Sequence, residues 1–249
     1  MDDLRRADHD SAAEADADAD VSSVDPAILA GIVAKGPQPV LRYLFFLIVV
    51  RPVMLVIMGM NVRGQERLAE RGPMLVVANH NSHLDTFALM TLFPMNELHR
   101  VRPVAAADYF LRTRWFAWFS IRVLGIIPID RDVRRGRGHP LDPISEQLNQ
   151  GAIVLLFPEG TRGEPEQREP FQRGIAHLAR RHPDVPIVPV FMYGLGKALP
   201  RGEGLLVPFF IDAYVGERLQ WTGNKDTMME RLDTEFQRLA DGARVPETF

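Results

Sequence analysis

The 249-residue sequence contains no cysteine. This absence excludes a disulfide framework, a cysteine-ligated zinc site and a catalytic thiol, and it fits a reducing compartment. A secretory signal is not expected either, because residues 1–30 lack the apolar segment that such a signal requires. Apolar residues nevertheless make up 46% of the chain, which is enough to build the core of a large α/β domain without covalent staples.

Negative charge exceeds positive charge only at the N-terminus. Residues 1–25 hold nine Asp and Glu against Arg5 and Arg6, so residues 26–249 carry +4 although the whole chain has a formal net charge of -3. The acidic, low-complexity composition predicts a disordered tail, which we place at residues 1–36. A charge of +4 is too small to indicate nucleic-acid binding, and it suits an anionic membrane or a phosphorylated ligand.

The sequence also lacks an uninterrupted apolar run of the length that a bilayer-spanning helix needs, about 20 residues. Its apolar arms, Tyr43–Val50 and Val53–Met60, are separated by Arg51-Pro52. An arginine at the centre of a span costs about 2.5–3.5 kcal/mol, and the proline kinks a helix. We therefore predict that residues 37–62 form a kinked or two-part helix lying in a membrane interface, with a spanning helix and an ordinary buried helix as alternatives.

Short β-rich runs alternate with helical stretches from residue 74 onwards. Strands are predicted at Met74–Ala78, Val101–Ala106, Ile126–Ile129, Ala152–Phe157, Ile187–Met192 and Phe209–Val215. Helices are predicted between them at Thr86–Phe93, Tyr109–Val123, Pro143–Gln150, Arg173–Arg181 and Thr227–Leu239. This rhythm predicts an α/β fold over residues 63–249, with a mostly parallel central sheet covered by helices.

The stretch "VVANHNSHLDTF" places His80 and Asp85 just after the strand predicted at Met74–Ala78. Ligands of open α/β sheets bind at the carboxyl ends of strands, so a His80 base oriented by Asp85 is one interpretation. A second interpretation is a helix start in which Ser82 and Asp85 form a capping box, and the two are compatible. A metal site that includes His83 is a third, and it lacks further histidines at ligand spacing.

Two other strand ends carry groups that suit an anion. "FPEGTR" ends a buried strand in a turn with Glu159, Gly160, Thr161 and Arg162, and "GIIPIDR" ends another strand at Arg131. Backbone N–H groups, a hydroxyl and a guanidinium are the donors that hold a phosphate. A surface turn with an Arg–Glu pair is the alternative.

Four stretches in this order resemble the glycerolipid acyltransferase family, in its 1-acyl-sn-glycerol-3-phosphate acyltransferase (PlsC-like) branch. "NHNSHLD" is similar to the first motif of that family, "GIIPIDR" to the second, "FPEGTR" to the third and "VPIVPV" to the fourth. The resemblance implies transfer of a fatty acyl group from acyl-CoA or acyl-carrier protein to the hydroxyl of a lysophospholipid, most simply 1-acyl-glycerol-3-phosphate. It also implies that His80 is the base, that Asp85 orients it, and that residues 159–162 with Arg131 hold the acceptor phosphate.

The same resemblance implies a direct transfer with no metal, no cofactor and no acyl-enzyme, at a membrane surface that we expect to be the cytoplasmic face of the cell membrane. One departure concerns the acceptor. The family commonly has Phe-Lys-x-Gly after its third motif, whereas this chain has Phe171, Gln172, Arg173 and Gly174. An ornithine-lipid or glycolipid acceptor therefore stays open beside the phosphorylated one, and so does a non-catalytic lipid-binding protein on the same fold.

Overall fold

The computed structural model describes residues 26–69, 72–80, 82, 84–107, 113–129, 139–158, 171–194 and 210–244. Two helices open the described chain: α1 (Pro26–Ala34) and the long apolar helix α2 (Pro39–Ile57). Helix α2 contains π-helical stretches at Phe46–Val50 and Val53–Ile57, on either side of Arg51 and Pro52.

The α/β domain follows directly. Its strands, within the described residues, are β1 (Met60–Arg63), β2 (Met74–Ala78), β3 (Val101–Ala106), β4 (Ile127–Ile129), β5 (Ile153–Leu156), β6 (Ile187–Tyr193) and β7 (Ile211–Val215). Its α-helices there are α3 (Asp85–Thr91), α4 (Arg114–Phe119), α5 (Asp142–Asn149), α6 (Gly174–Arg181) and α7 (Lys225–Arg244). A π-helical turn, Ser120–Leu124, continues α4, and short 3₁₀ turns occupy Gln65–Leu68 and Leu98–Arg100.

The strands form one sheet in the order β1-β7-β6-β2-β5-β3-β4. Neighbouring strands are parallel except for β6 and β7, which pair in antiparallel fashion, so the predicted mostly parallel sheet is confirmed. Strand β2 lies in the middle of the sheet between β5 and β6, and Val77 is in register with Leu156 and with Pro189. The carboxyl end of β2 is therefore surrounded by protein on both sides, as a buried site requires.

Alternate side chains of β2 enter two separate cores. Met74, Val76 and Ala78 pack on the face covered by α2 and α3. Leu75 and Val77 pack on the opposite face, which α5, α6 and α7 cover. This two-sided burial explains why β2 is a continuous apolar run rather than an alternating one.

Helix α2 is held along the α/β domain by one buried stripe: Arg42, Phe46, Val50, Met54 and Met58. Residues four apart advance about 400° on a regular α-helix, so a strict four-residue stripe drifts around its axis. The wider π turns of α2 reduce this drift. The stripe therefore stays on one face, and the helix contacts protein along its whole length.

Both arginines of α2 point to backbone carbonyls of the α/β domain. Arg42 is buried and donates from Nη2 to Val101 O at 2.5 Å, while Arg51 donates to Thr91 O at 3.4 Å. Burial, with a smaller contribution from nearby Arg102, lowers the pKa of Arg42 to about 9, so its guanidinium remains charged at neutral pH. With its charges turned inward, α2 presents an apolar surface on its other side.

Most predicted elements lie within one or two residues of the observed ones, and three differences stand out. Helix α1 occupies residues that the predicted tail at 1–36 assigned to disorder, and residues 1–25 lie outside the described chain. Strand β1 begins inside the range 37–62 predicted as helical, and it pairs with β7. Helix α2 continues through Arg51 and Pro52 as one helix, so the two-part form of the predicted kinked or two-part helix is wrong.

Candidate active site

The end of β2 is fixed by Asn79, which extends the strand pairing with a side chain. Its Nδ2 donates to Met192 O at 2.8 Å, and its Oδ1 accepts from Met192 N at 2.7 Å. Asn79 is buried, so both backbone groups of Met192 would lose their partner without it. This pair of hydrogen bonds sets the position from which His80 leaves the sheet.

His80 and Asp85 form a direct hydrogen bond, as the sequence predicted. His80 Nδ1 lies 2.9 Å from Asp85 Oδ2. The Asp85 side chain is 1% exposed and the His80 side chain is 21% exposed, so the carboxylate is sealed while the ring reaches solvent. Since Nδ1 faces a carboxylate acceptor, it carries the proton in the neutral ring, and Nε2 is the nitrogen that can take a second one.

The same Asp85 oxygen also closes the start of α3. Asp85 Oδ2 accepts from Ser82 N at 2.9 Å, and Ser82 Oγ accepts from Leu84 N at 3.3 Å. The bond from Ser82 N is the one that the carboxylate accepts in a capping box, whereas Ser82 Oγ accepts from Leu84 N and not from Asp85 N, so the box is half formed. The hydrogen bonds that the two interpretations require from Asp85 meet at one carboxylate oxygen, and the role of His80 as a base stays a prediction.

Phe157 forms the wall of the site on the β5 side. Its ring stacks on the His80 imidazole with centroids 4.3 Å apart and an interplanar angle of 26°. The orientation of the His80 ring is thus held by two contacts, the hydrogen bond to Asp85 and the stacking on Phe157. A preoriented imidazole of this kind is suited to remove a proton from a bound hydroxyl.

The anion-binding part of the prediction lies outside the described residues. This applies to Arg131, Glu159, Gly160, Thr161 and Arg162, and also to His83. Phe157 and Pro158 are the last described residues before residues 159–162, and Phe157 contacts His80 directly. Strand β4, which precedes Arg131, lies three strands from β2, or about 14 Å at the usual strand spacing.

Arg173, which occupies the region of the missing family lysine, lies on the surface. Its side chain is 84% exposed, and Nη2 lies 3.8 Å from Asp226 Oδ1. Gln172 is tied by its backbone N–H to Pro158 O at 3.0 Å. Arg173 is therefore directed toward α7 and its exposed carboxylate, away from the His80 ring.

Two residues that matter here were not singled out from the sequence. Asn79 stands next to His80 inside the first motif, and a strand-end amide flanked by buried residues is a usable signal for a backbone clamp. Phe157 directly follows β5, and pairing β5 with β2 would have placed it beside His80. Among the residues that the structure describes, no group of three or more His, Asp or Glu side chains is arranged to hold a metal ion.

Comparison with known proteins agrees with this arrangement. The family model described as Acyltransferase matches residues 59–193, more than half of the chain. A chloroplastic 1-acyl-sn-glycerol-3-phosphate acyltransferase of Brassica napus is 30% identical over 148 residues, which are 59% of this chain and 41% of that protein. The 1-acyl-sn-glycerol-3-phosphate acyltransferase alpha of Homo sapiens is 36% identical over 135 residues, 53% of this chain and 44% of that protein.

The fold has a counterpart among solved structures. The crystal structure of the 1-acyl-sn-glycerophosphate (LPA) acyltransferase, PlsC, from Thermotoga maritima superposes with a TM-score of 0.63 at 20% sequence identity. The superposition covers 83% of this chain and 80% of that one. The chain spans less than half the length of the two relatives named above.

Proposed function

The chain belongs to the acyltransferase family, as its four motifs predicted, and we propose that it moves a fatty acyl group from a thioester to the free hydroxyl of a lysophospholipid. The preferred acceptor is 1-acyl-glycerol-3-phosphate, which gives phosphatidic acid. The observation that carries the proposal is the hydrogen bond of 2.9 Å between His80 Nδ1 and the buried Asp85 carboxylate at the carboxyl end of the central strand. The two relatives named above are 1-acyl-sn-glycerol-3-phosphate acyltransferases, which supports the choice of acceptor.

The proposed reaction is a direct transfer. The acceptor hydroxyl gives its proton to His80 Nε2 while its oxygen attacks the thioester carbonyl carbon. The C–S bond then breaks, and the thiolate leaves and takes the proton from the imidazolium. Asp85 is the positioning residue: it holds the Nδ1–H tautomer and stabilises the imidazolium between the two steps. The atoms balance without a metal or a covalent enzyme intermediate, and neither is part of the proposal.

Acceptor binding is assigned to the turn that follows β5. Glu159, Gly160, Thr161 and Arg162 would hold the glycerol phosphate with backbone N–H groups, a hydroxyl and a guanidinium. The support is that Phe157, two residues earlier in the chain, already contacts the base. Arg131 is the second proposed clamp, and β4, the strand that precedes it in the sequence, lies three strands from β2.

The membrane is the proposed place of action. Helix α2 is long and apolar enough to cross a bilayer, with a mean hydropathy of 2.3. However, its buried stripe contacts the α/β domain from Arg42 to Met58, whereas a spanning helix would leave the domain. We therefore propose that α2 lies in the interface of one leaflet, on the cytoplasmic side, where acyl-CoA or acyl-carrier protein delivers the donor.

A different acceptor of the same family has one observation in its favour. The family lysine is absent, and Arg173 does not replace it, because it is exposed and faces Asp226. Loss of a phosphate ligand favours an acceptor with less negative charge, such as an ornithine lipid or a glycolipid. The two possibilities differ only in the acceptor, since the base and its orienting carboxylate serve any hydroxyl.

A panel of acceptors decides between them. The purified chain is incubated with lysophosphatidic acid, a lyso-ornithine lipid or a lyso-glycolipid, each with acyl-CoA and with acyl-carrier protein, and products are read by mass spectrometry. We expect phosphatidic acid as the main product and none from His80→Ala. Turnover of another acceptor alone would replace phosphatidic acid in the proposal, and binding without any turnover would favour a non-catalytic lipid-binding protein.

A further inference from the structure

Exposed apolar side chains are gathered on one part of the molecule. Ten of the fourteen large exposed ones in the described residues belong to α2: Val40, Leu41, Tyr43, Leu44, Leu47, Ile48, Val49, Leu55, Val56 and Ile57. The other four are Val33 of α1, Trp115 and Trp118 of α4, and Phe210 just before β7. Exposed tryptophans on a helix of the α/β domain are not explained by the proposed role of α2.

Ring contacts connect α4 to α2. Trp115 stacks on Phe119 with centroids 5.5 Å apart and planes 3° from parallel. Phe119 in turn meets Phe45 of α2 edge-on at 5.3 Å. The exposed indole of Trp115 is therefore the outer end of an aromatic row that begins in α2, and the two helices present one continuous surface.

The other two exposed positions adjoin the same helices. Trp118 lines a groove of about 300 Å³ together with Ile28, Gly31, Ile32, Lys35 and Arg122, so it lies against α1. Phe210, which is 81% exposed, lies over Gly59, two residues after the end of α2: a Cβ built on Gly59 would lie 2.8 Å from its ring. The apolar face thus runs from α4 across α2 to the start of β7.

Charge identifies the occupant of this face. Residues 26–65 and 113–129 contain no Asp or Glu, but they contain Lys35, Arg114 and Arg122 beside the apolar groups. A partner with an apolar interior and an anionic surface matches this pattern, and tryptophan side chains are enriched where such interiors meet headgroups. A second copy of this chain would bring the same basic residues against themselves, which like charges oppose.

We propose that α4, through Trp115 and Trp118, is a second membrane anchor that enters the same anionic leaflet as α2. A single interfacial helix leaves the domain able to roll about the helix axis. A second anchor beside it stops this rotation. It also fixes the height above the lipid of the carboxyl end of β2, where His80 lies. The proposal rests on the membrane association proposed above and does not depend on acyl transfer.

Tryptophan fluorescence tests this directly, because the chain has only three tryptophans. The variant W221F of the full chain reports on Trp115 and Trp118 alone. The double variant W115F/W118F reports on Trp221, which is half-buried, packs against the core on the opposite face of the sheet and is the internal control. Each is mixed with vesicles of phosphatidylcholine containing about one third phosphatidylglycerol, with or without brominated acyl chains.

We expect brominated lipid to quench W221F strongly and shift its emission to the blue, and to leave W115F/W118F almost unchanged. In flotation assays, Trp115→Ala with Trp118→Ala should weaken vesicle binding by about tenfold or more, whereas Trp221→Ala should not. Thermal melting of each variant checks folding. Binding to neutral phosphatidylcholine should be weaker for every variant.

Two results would overturn the proposal. If W221F floats with vesicles but is not quenched, α2 binds lipid while α4 stays in water. If W221F sediments as a dimer without lipid and neither floats nor quenches, the face is an interface between copies. The same measurements on His80→Ala separate this outcome from failure of the proposed reaction, since binding and quenching need no turnover.

Discussion

Replacing Asp85 by asparagine separates the role of its charge from the role of its shape. Asp85 Oδ2 accepts two hydrogen bonds of 2.9 Å, one from His80 Nδ1 and one from Ser82 N. Asparagine has nearly the same volume, but it offers one oxygen and one NH₂ group. If the NH₂ faces His80, the ring must take the other tautomer and Nε2 can no longer accept a proton. If the oxygen faces it, the negative charge that stabilises the imidazolium is still lost.

The expected loss of activity is much larger than the loss of stability. General-base catalysis contributes about 10²–10⁴-fold to the rate, so Asp85→Asn should lower kcat by a factor in this range. That corresponds to about 3–5 kcal/mol of transition-state stabilisation. The helix start loses one charged acceptor, which costs about 1 kcal/mol of unfolding free energy. KM for the acceptor should change little, because Asp85 acts through His80.

Ser82→Ala is the matched control. It removes the Oγ that accepts from Leu84 N at 3.3 Å and leaves the backbone bond from Ser82 N to Asp85 in place. We expect a similar drop in stability with kcat within about twofold of the wild type. Initial rates of acyl transfer and urea denaturation are measured for both variants. The reasoning is refuted if folded Asp85→Asn keeps a wild-type rate, or if Ser82→Ala loses as much activity.

Three further outcomes are expected from groups away from the reaction. Asn79→Ala should lower the unfolding free energy by about 2–4 kcal/mol, because two buried backbone groups of β6 lose their partner; an unchanged urea midpoint would contradict this. Gly125→Ala should lower the unfolding free energy more than Gly223→Ala. Both glycines have positive φ, of 72° and 82°, but only at Gly125 would a Cβ lie 2.8 Å from the buried Arg42 guanidinium. Equal losses of unfolding free energy would show that this contact is not the cause. Hydrogen bonds from Arg238, and then from a backbone N–H, lower the pKa of Glu235. Ionised Glu235 therefore stabilises the fold above the ordinary carboxyl pKa, and this stabilisation is lost as the pH falls through the lowered pKa. The difference in unfolding free energy between the wild type and Glu235→Gln should shrink on acidification, and a difference that stays constant would contradict this role of Glu235.

The strands were predictable because their physical cause is local. A strand buried on both faces, such as β2, must be a continuous apolar run, and Gly151 after α5 or Gly125 before β4 marks where helices end. β1 was missed because its four residues, Met60–Arg63, directly follow an apolar helix and are too few to establish an alternating pattern. The antiparallel direction of β7 depends on how the chain crosses the sheet, which no local pattern records.

The site, like the fold, has features that follow from the local sequence and features that depend on which strands are neighbours. The His80–Asp85 pairing was predictable, since the short spacing and the capping pattern confine both side chains to one turn. The clamp from Asn79 and the stacking of Phe157 depend on which strands are neighbours, so they needed the sheet order. The burial of Arg42 was not predictable either, because a helix arginine is normally exposed and its carbonyl partner lies 59 residues away.

Formation of phosphatidic acid by wild-type protein and by His80→Ala tests most directly whether His80 is the base. Both proteins are assayed with lysophosphatidic acid and acyl-CoA, after matching melting curves show that both are folded. We expect the wild type to form phosphatidic acid and the variant to lose about 10²–10⁴-fold of that rate. A folded His80→Ala protein that forms phosphatidic acid at the wild-type rate would contradict the assignment.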